Sequence, residues 1–356
     1  MKFIIKLVFL LLLSIAALSL YFSYSAYQQQ SNTKINVSTN PEQAVFKLKK
    51  GSGIGQISQQ LAQQQIIPNA LHFKILARVQ NKSHRLKAGE YQLLPSMSIA
   101  ALLDLFVSGK TLQYQLSIIE GKTFSELRRA IQQHPNLVQT LREEDYKNIM
   151  QKLGSTKTNP EGWFYPDTYN FPRKTTDLQF LQRAYKKMQQ YLQTAWQGRE
   201  KNSLIKTPYE ALILASIVEK ETGIPEERPL IAGVFLNRLK IDMLLQTDPT
   251  VIYGMGEKYK GNIRKSDLKR DTAYNTYTRK GLTPTPIAIP SLDAIQAVLH
   301  PQKTEAFYFV ADGTGGHAFS KTYQEHKKAV VQYIAISKAN RRKEVSDLKP
   351  DNKIQK

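Results

Sequence analysis

The chain has 356 residues, 41% of them hydrophobic, which suffices for substantial cores and suggests about two domains. It has no cysteine, which excludes disulfides, zinc ribbons and thiol nucleophiles. Its 50 basic and 29 acidic residues give a net charge of +21. That balance usually raises nucleic acid as a partner, but the amino terminus argues against it.

Met1 to Lys6 leads into the apolar run Leu7 to Phe22. Counted from Phe3, this stretch reaches the ~20 residues that span a bilayer, with Lys6 close enough to the end to snorkel. Lysines on the short side and a long polar body orient that body outward. The rival reading is a cleaved signal peptide, since Ser23 and Ser25 are small residues where cleavage could occur. Tyr21, Phe22 and Tyr24 instead suit the interface of a retained anchor. Both readings export the chain. We expect a transmembrane anchor over 1–25, a polar linker over 26–42 and a charged tail over 341–356.

Between them a strand, turn and helix pattern occurs three times, at 46–61, 90–106 (with Ser98 as helix cap) and 113–128. Such repetition is ordinary in chains that mix strands and helices, and the drifting period argues against a solenoid. The first two units enclose a helix near Asn69 to Gln80. Together they form a β-α-α-β module over 43–109 that resembles LysM, a module that binds N-acetylglucosamine polymers. From 110 to 340 the chain reads as a larger mixed domain, so the class is α+β. Its helices are expected near 177–196, 207–221, 226–239, 291–299 and 320–337. A hairpin is expected from 306–310 and 317–319, turned by Asp312-Gly-Thr-Gly-Gly316.

The helix from Thr207 carries the strongest chemical signal. Thr207 suits the N-cap, Pro208 the first helical position, and Glu210 completes a capping box. Gly223 suits a left-handed stop. Glu221 lies one turn beyond Ile217 and Val218, on the most apolar face. Glu219 falls on another face, over Leu212, Ala215 and Ser216. An acid against aliphatic side chains at a helix C-terminus keeps its proton and can serve as a general acid. Glu221 is the preferred acid, with Glu219 the alternative.

Function-bearing loops are expected after this helix. Leu245 to Gly256 gathers Gln246, Thr247 and Asp248, and Thr272 to Thr278 interleaves Tyr274 and Tyr277 with Asn275. Gly281 to Pro290 is stiffened by prolines, and Glu161 to Tyr169 is rich in aromatic residues. Rings with amides and hydroxyls suit sugars, although tyrosines at period two also suit half-buried strands. Asp248 before Pro249 also suits a simple turn. Asp312 to Gly316 lacks the lysine and following helix of a phosphate loop, and His317 beside it reads as a structural hydrogen-bonder. Scattered histidines give no metal-ligand spacing, and no nucleophile elbow is present. No metal and no cofactor is expected.

Ala215-Ser-Ile-Val-Glu-Lys-Glu-Thr222, Phe235-Leu-Asn-Arg-Leu239, Leu245 to Gly254, Ala273 to Tyr277 and Phe309 to Phe319 occur in one order. That ordered set resembles the MltG (YceG-like) endolytic murein transglycosylases over nearly the whole chain. The resemblance implies cleavage within peptidoglycan strands, between N-acetylmuramic acid and N-acetylglucosamine, leaving a 1,6-anhydromuramoyl end. It also implies inner-membrane anchoring with the body in the periplasm, and peptidoglycan polymerases as partners. It carries the catalytic glutamate onto Glu221; side-chain chemistry adds Gln246, Asp248, Tyr274, Asn275 and Tyr277 as substrate-binding candidates. Thr283-Pro-Thr-Pro286 departs from the glycine-containing loop of some relatives. Two other readings stay open: a non-catalytic glycan-binding anchor that recruits wall-synthesis proteins, and a hydrolase using Asp248 or Glu161 as second carboxylate.

Overall fold

The apolar residues after Lys2 form one long helix, α1 (Lys2–Ser31), in a computed structural model that describes residues 2–200 and 204–347. The stretch Phe3–Ser31 is long and apolar enough to cross a membrane. The part of the expected tail beyond residue 347 lies outside the described residues. By its internal contacts the chain divides into two units, 1–114 with 170–174 and 115–169 with 175–356.

In the first unit β1 (Val45–Leu48) pairs antiparallel with β2 (Gly89–Gln92), Val45 opposite Gln92 and Leu48 opposite Gly89. Between them run α2 (Ile54–Gln63) and α3 (Ala70–Val79), and α4 (Ile99–Ser108) follows. Each helix start has a local cause. Asn69 accepts the Leu71 N–H, and Ser98, the expected cap, accepts that of Ala101. Gly109, at φ 73°, ends α4 in the left-handed region that glycine tolerates. Phe46, Phe73, Tyr91 and Phe106 are fully buried, with Phe46 stacked on Phe106 at 5.4 Å.

Part of the segment expected as a polar linker packs on this core. Ile35 is buried in this core, its N–H donates to Met97 O at 2.9 Å, and Asn36 N–H donates to Ile66 O at 2.9 Å. Tyr27 and Val37 from the same segment pack against this core as well.

The remaining elements are β3 (Tyr114–Ile118), α5 (Phe124–Gln133), α6 (Tyr146–Lys152), β4 (Asp167–Phe171), α7 (Asp177–Gln197), α8 (Pro208–Glu221), α9 (Arg228–Lys240), α10 (Asp248–Met255), α11 (Lys265–Lys269) and α12 (Leu292–Leu299). They are followed by β5 (Tyr308–Ala311), β6 (His317–Ser320) and α13 (Tyr323–Asp347). β3 pairs with β4, and β5 with β6 as the expected hairpin.

α8 organises the second unit. Every residue from Ala211 to Val218 is buried, and α7, α9, α10 and α12 all pack against it or its neighbours, as a helix apolar on all sides requires. α9 approaches the chain closely at Gly233, where a Cβ would meet Gln302 O at 2.3 Å. Two refinements concern α8 itself. Thr207 caps it, but Glu210 accepts the N–H of Lys206 rather than that of Thr207. Gly223 is not left-handed; Thr222 ends the helix in an extended conformation at φ −141°, ψ 138°.

Candidate active site

Glu221 is the last residue of α8, and its carboxyl borders a cavity of about 540 Å³. The opposite wall is the β5–β6 hairpin, through Gly313, Gly315, Gly316 and His317, and α13 contributes Tyr333, Ser337 and Asn340. Close packing pushes the Glu221 pKa up, and the negative charge of Asp248 adds to that. Opposing it are a hydrogen bond from Thr247 and the positive charges of His317 and Arg238.

Thr247 Oγ1 donates to Glu221 Oε1, and a buried hydroxyl network fixes it there. Thr247 N–H donates to Thr276 Oγ1 at 3.1 Å, Thr250 Oγ1 donates to Thr247 O at 2.7 Å, and the Thr250 and Thr276 hydroxyls are 2.8 Å apart. Tyr277 donates to Asp248 Oδ1 at 2.6 Å. Burial raises the Tyr277 pKa, as do the neighbouring Asp248 and Glu221 charges, so the phenol keeps its proton. Arg238 is 6% exposed, donating to Phe307 O at 2.6 Å and Leu245 O at 2.5 Å.

Beyond the helix end, Glu227 ties the end of α8 to the β5–β6 hairpin. It accepts the His317 N–H at 2.8 Å, the His317 Nδ1 proton at 2.7 Å and the Thr222 hydroxyl at 3.1 Å. Burial pulls its pKa up, but the hydrogen bonds and charge of His317 prevail and hold it below the usual range. With Nδ1–H facing a carboxylate, the neutral ring keeps its lone pair on Nε2. His317 is thus a hydrogen-bonder, as expected, and also part of the cavity wall.

The other candidates are distributed unevenly. Asp248 and Tyr277 join Glu221 electrostatically. Gln246 adjoins Thr247 in a left-handed conformation at φ 49°, with its N–H donating to Thr276 O at 3.0 Å. Asn275 is 1% exposed, and its Nδ2 donates to the carbonyls of Asp267, Leu268 and Arg270 while Oδ1 accepts the Tyr277 N–H. Its amide is fully engaged, so it shapes the loop that carries Tyr277 and has no N–H left for a sugar. Tyr274 meets Thr285 at 2.9 Å and packs edge-on against Tyr253 at 4.9 Å. Tyr253 in turn donates to Glu161 at 3.1 Å. Glu161 is 3% exposed, and burial pushes its pKa up to about 7. Of the sequence candidates only Glu221 lines the cavity; Gln246, Asp248, Tyr274, Asn275, Tyr277 and Glu161 do not.

Three participants were not among the candidate site residues: Thr247, Arg238 and Glu227. Arg238 had a readable signal, because it shares the buried face of α9 with Ile231 and Phe235 at helical spacing. Glu227 lies 90 residues from His317, and nothing local announces that pairing. No group of three or more histidine and acidic residues able to hold a metal occurs among the described residues.

The YceG-like family profile matches residues 46–332. An endolytic murein transglycosylase of Bacillus subtilis (strain 168) is 32% identical over 326 residues, covering 86% of this chain and 87% of that protein. An endolytic murein transglycosylase of Streptococcus pneumoniae (serotype 2, strain D39) is 30% identical over 363 residues, covering 92% of this chain and 64% of that longer protein. The crystal structure of a yceG-like protein from Listeria monocytogenes is similar with a TM-score of 0.52 and 31% identity, over 80% of this chain and 98% of that one.

Proposed function

Because the chain belongs to the YceG-like family, we propose that it is a lytic transglycosylase that cuts within peptidoglycan strands, with Glu221 as its single acid and base. The observation that carries this reading is a carboxyl whose pKa burial pushes up, beside a cavity at the end of a buried helix. The named activity of the relatives supports the same reaction class.

Glu221 first protonates the glycosidic oxygen between N-acetylmuramic acid and N-acetylglucosamine. The C1–O4 bond breaks, and the C6 hydroxyl of the muramic acid attacks its own anomeric carbon. Glu221, now a carboxylate, accepts the C6 hydroxyl proton and returns to its starting state. Intramolecular attack has a high effective molarity, so no second carboxylate is needed, in contrast to ordinary glycosidases. The Thr247 hydrogen bond and the Arg238 charge stabilise the carboxylate between the two transfers. Asp248 and Tyr277, coupled electrostatically to Glu221, and Gln246, next to the Thr247 that binds it, are the substrate-binding candidates we retain, although none of them lines the cavity. The substrate's own N-acetyl group relieves the oxocarbenium charge.

The finer assignments belong to the same reading. α1 anchors the chain in the inner membrane with the body in the periplasm. The β-α-α-β module is LysM-like, and the cut ends strand elongation alongside peptidoglycan polymerases. No cofactor or nucleic acid enters. A non-catalytic glycan-binding anchor is the competing reading. Digestion of purified sacculi with the full chain in detergent, followed by mass spectrometry, separates the possibilities. Internal fragments with anhydromuramoyl ends support the proposal. Fragments one water heavier indicate hydrolysis, and intact strands that still bind the protein indicate the anchor.

A further inference from the structure

After α1, α3 is the helix of the first unit with a row of exposed large apolar side chains. Leu71, Ile75 and Val79 are 58%, 43% and 65% exposed, and their i, i+4, i+8 spacing puts them in one stripe. Lys74 and Arg78 flank the stripe, and α3 contains no acidic residue. The opposite face, with Phe73, Leu76 and Ala77, is buried in the core. Such a helix, apolar on one side and basic at its margins, has the composition of an interfacial membrane helix.

Its location gives the stripe an occupant. α3 packs beside α1 just past the apolar run: Gln80 Nε2 donates to Tyr27 Oη at 3.3 Å. A groove of about 250 Å³ between the two is lined by Ser23, Ala26, Tyr27, Gln30, His72 and Ile75. The apolar run ends at Phe22, so Ser23 to Tyr27 lie within about 8 Å of its end along the helix axis. The headgroup layer on each side of the hydrocarbon core is roughly 5–8 Å deep. An α1 that spans the bilayer therefore delivers α3 to that layer.

We propose that α3 docks on the anionic lipid surface from which α1 emerges, with Leu71, Ile75 and Val79 entering the headgroup boundary and Lys74 and Arg78 pairing with lipid phosphates. This inference rests on the reading of α1 as a retained anchor. It gives the exposed apolar stripe a partner, and it adds a second membrane contact that holds the β-α-α-β module against the bilayer.

The absence of cysteine makes the test direct. Single cysteines replace Tyr24, Leu71, Val79 or Lys50 in the full chain, are labelled with an environment-sensitive fluorophore, and the protein is reconstituted into phosphatidylcholine vesicles with phosphatidylglycerol. Quenching by doxyl-labelled lipid is expected at positions 24, 71 and 79 and not at 50, which lies in the turn after β1. Replacing both Lys74 and Arg78 by glutamine, or omitting phosphatidylglycerol, weakens quenching at 71 and 79 by about fivefold per charge in the docking equilibrium. Quenching at 24 alone leaves the anchor standing and overturns the docking. Quenching at none of the four overturns the anchor and the docking with it. Quenching at 71 and 79 that ignores both charge and lipid composition overturns the assignment to anionic lipid.

Discussion

Glu219 and Glu221 leave α8 two residues apart and end in opposite surroundings. The Glu219 side chain is 6% exposed and tied down, accepting from Ser291 Oγ at 2.5 Å, Ser291 N–H at 3.1 Å and Arg228 Nη2 at 3.5 Å. The Glu221 carboxyl accepts from Thr247 and has a cavity beside it. The helical offset of about 200° between positions two apart thus separates a structural acid from a chemical one.

Glu219→Gln is therefore expected to act on stability. It leaves the buried Arg228 guanidinium with only the exposed Asp293 carboxylate, at 3.7 Å, as counter-charge; breaking a buried pair costs about 3–5 kcal/mol, which is the upper value here. Thermal unfolding should shift down clearly, while folded protein still yields anhydromuramoyl ends. Loss of the product from protein with unchanged unfolding would contradict this assignment.

Thr247→Val removes the donor that favours the Glu221 carboxylate. The Glu221 pKa then rises further, so the alkaline limb of the pH–rate profile moves to higher pH. Hydrogen bonds to charged groups contribute about 1.5–3 kcal/mol, or roughly tenfold to a hundredfold in rate where the carboxylate form is needed. A pH profile measured beside wild type decides it, and an alkaline limb that stays put or moves down counts against the contact.

Glu161 governs a separate pH effect, on stability. Its folded pKa lies above its ordinary value, so the native state holds the proton more tightly than the unfolded chain. The resulting stability is complete below about 4.5 and declines as pH rises through about 7. At about 1.4 kcal/mol per pKa unit, the span is about 3 kcal/mol as an upper value. Urea titrations from pH 4 to pH 8 should show this decline in wild type and a flatter profile in Glu161→Gln.

Glu227 has the opposite sign. Its folded pKa is depressed, so its contribution is present above the usual glutamate range and is lost as pH falls through the folded value. Glu227→Gln should remove that acid-side loss and loosen the hairpin that bears His317, lowering kcat/KM. Restored activity in Glu227→Asp would point to the charge; equal loss in both would point to the reach of the side chain.

The helices that surround the site were legible because their signals are local: Thr207 and Pro208 mark the start of α8, and the spacing from Ile217 and Val218 puts Glu221 on an apolar face. The hairpin was legible from its glycines. Asn275 shows where composition stops: an amide among tyrosines reads as a sugar contact, yet three backbone carbonyls 5–8 residues away consume its donors. Asp248-Pro249 was read as a loop or turn, and it opens α10, because proline fits the first turn of a helix as well. Glu227 and His317 could not be paired from the chain alone, since their meeting depends on where a distant hairpin folds back.

The most direct measurement compares glycan ends released from sacculi by wild type and by Glu221→Gln, resolved by mass. The amide is close in shape, cannot donate a glycosidic proton, and removes a buried acid, so the variant should fold with equal or higher stability. Anhydromuramoyl ends from wild type and none from the variant is the predicted result. Anhydromuramoyl ends that persist in folded Glu221→Gln would contradict the single-acid account.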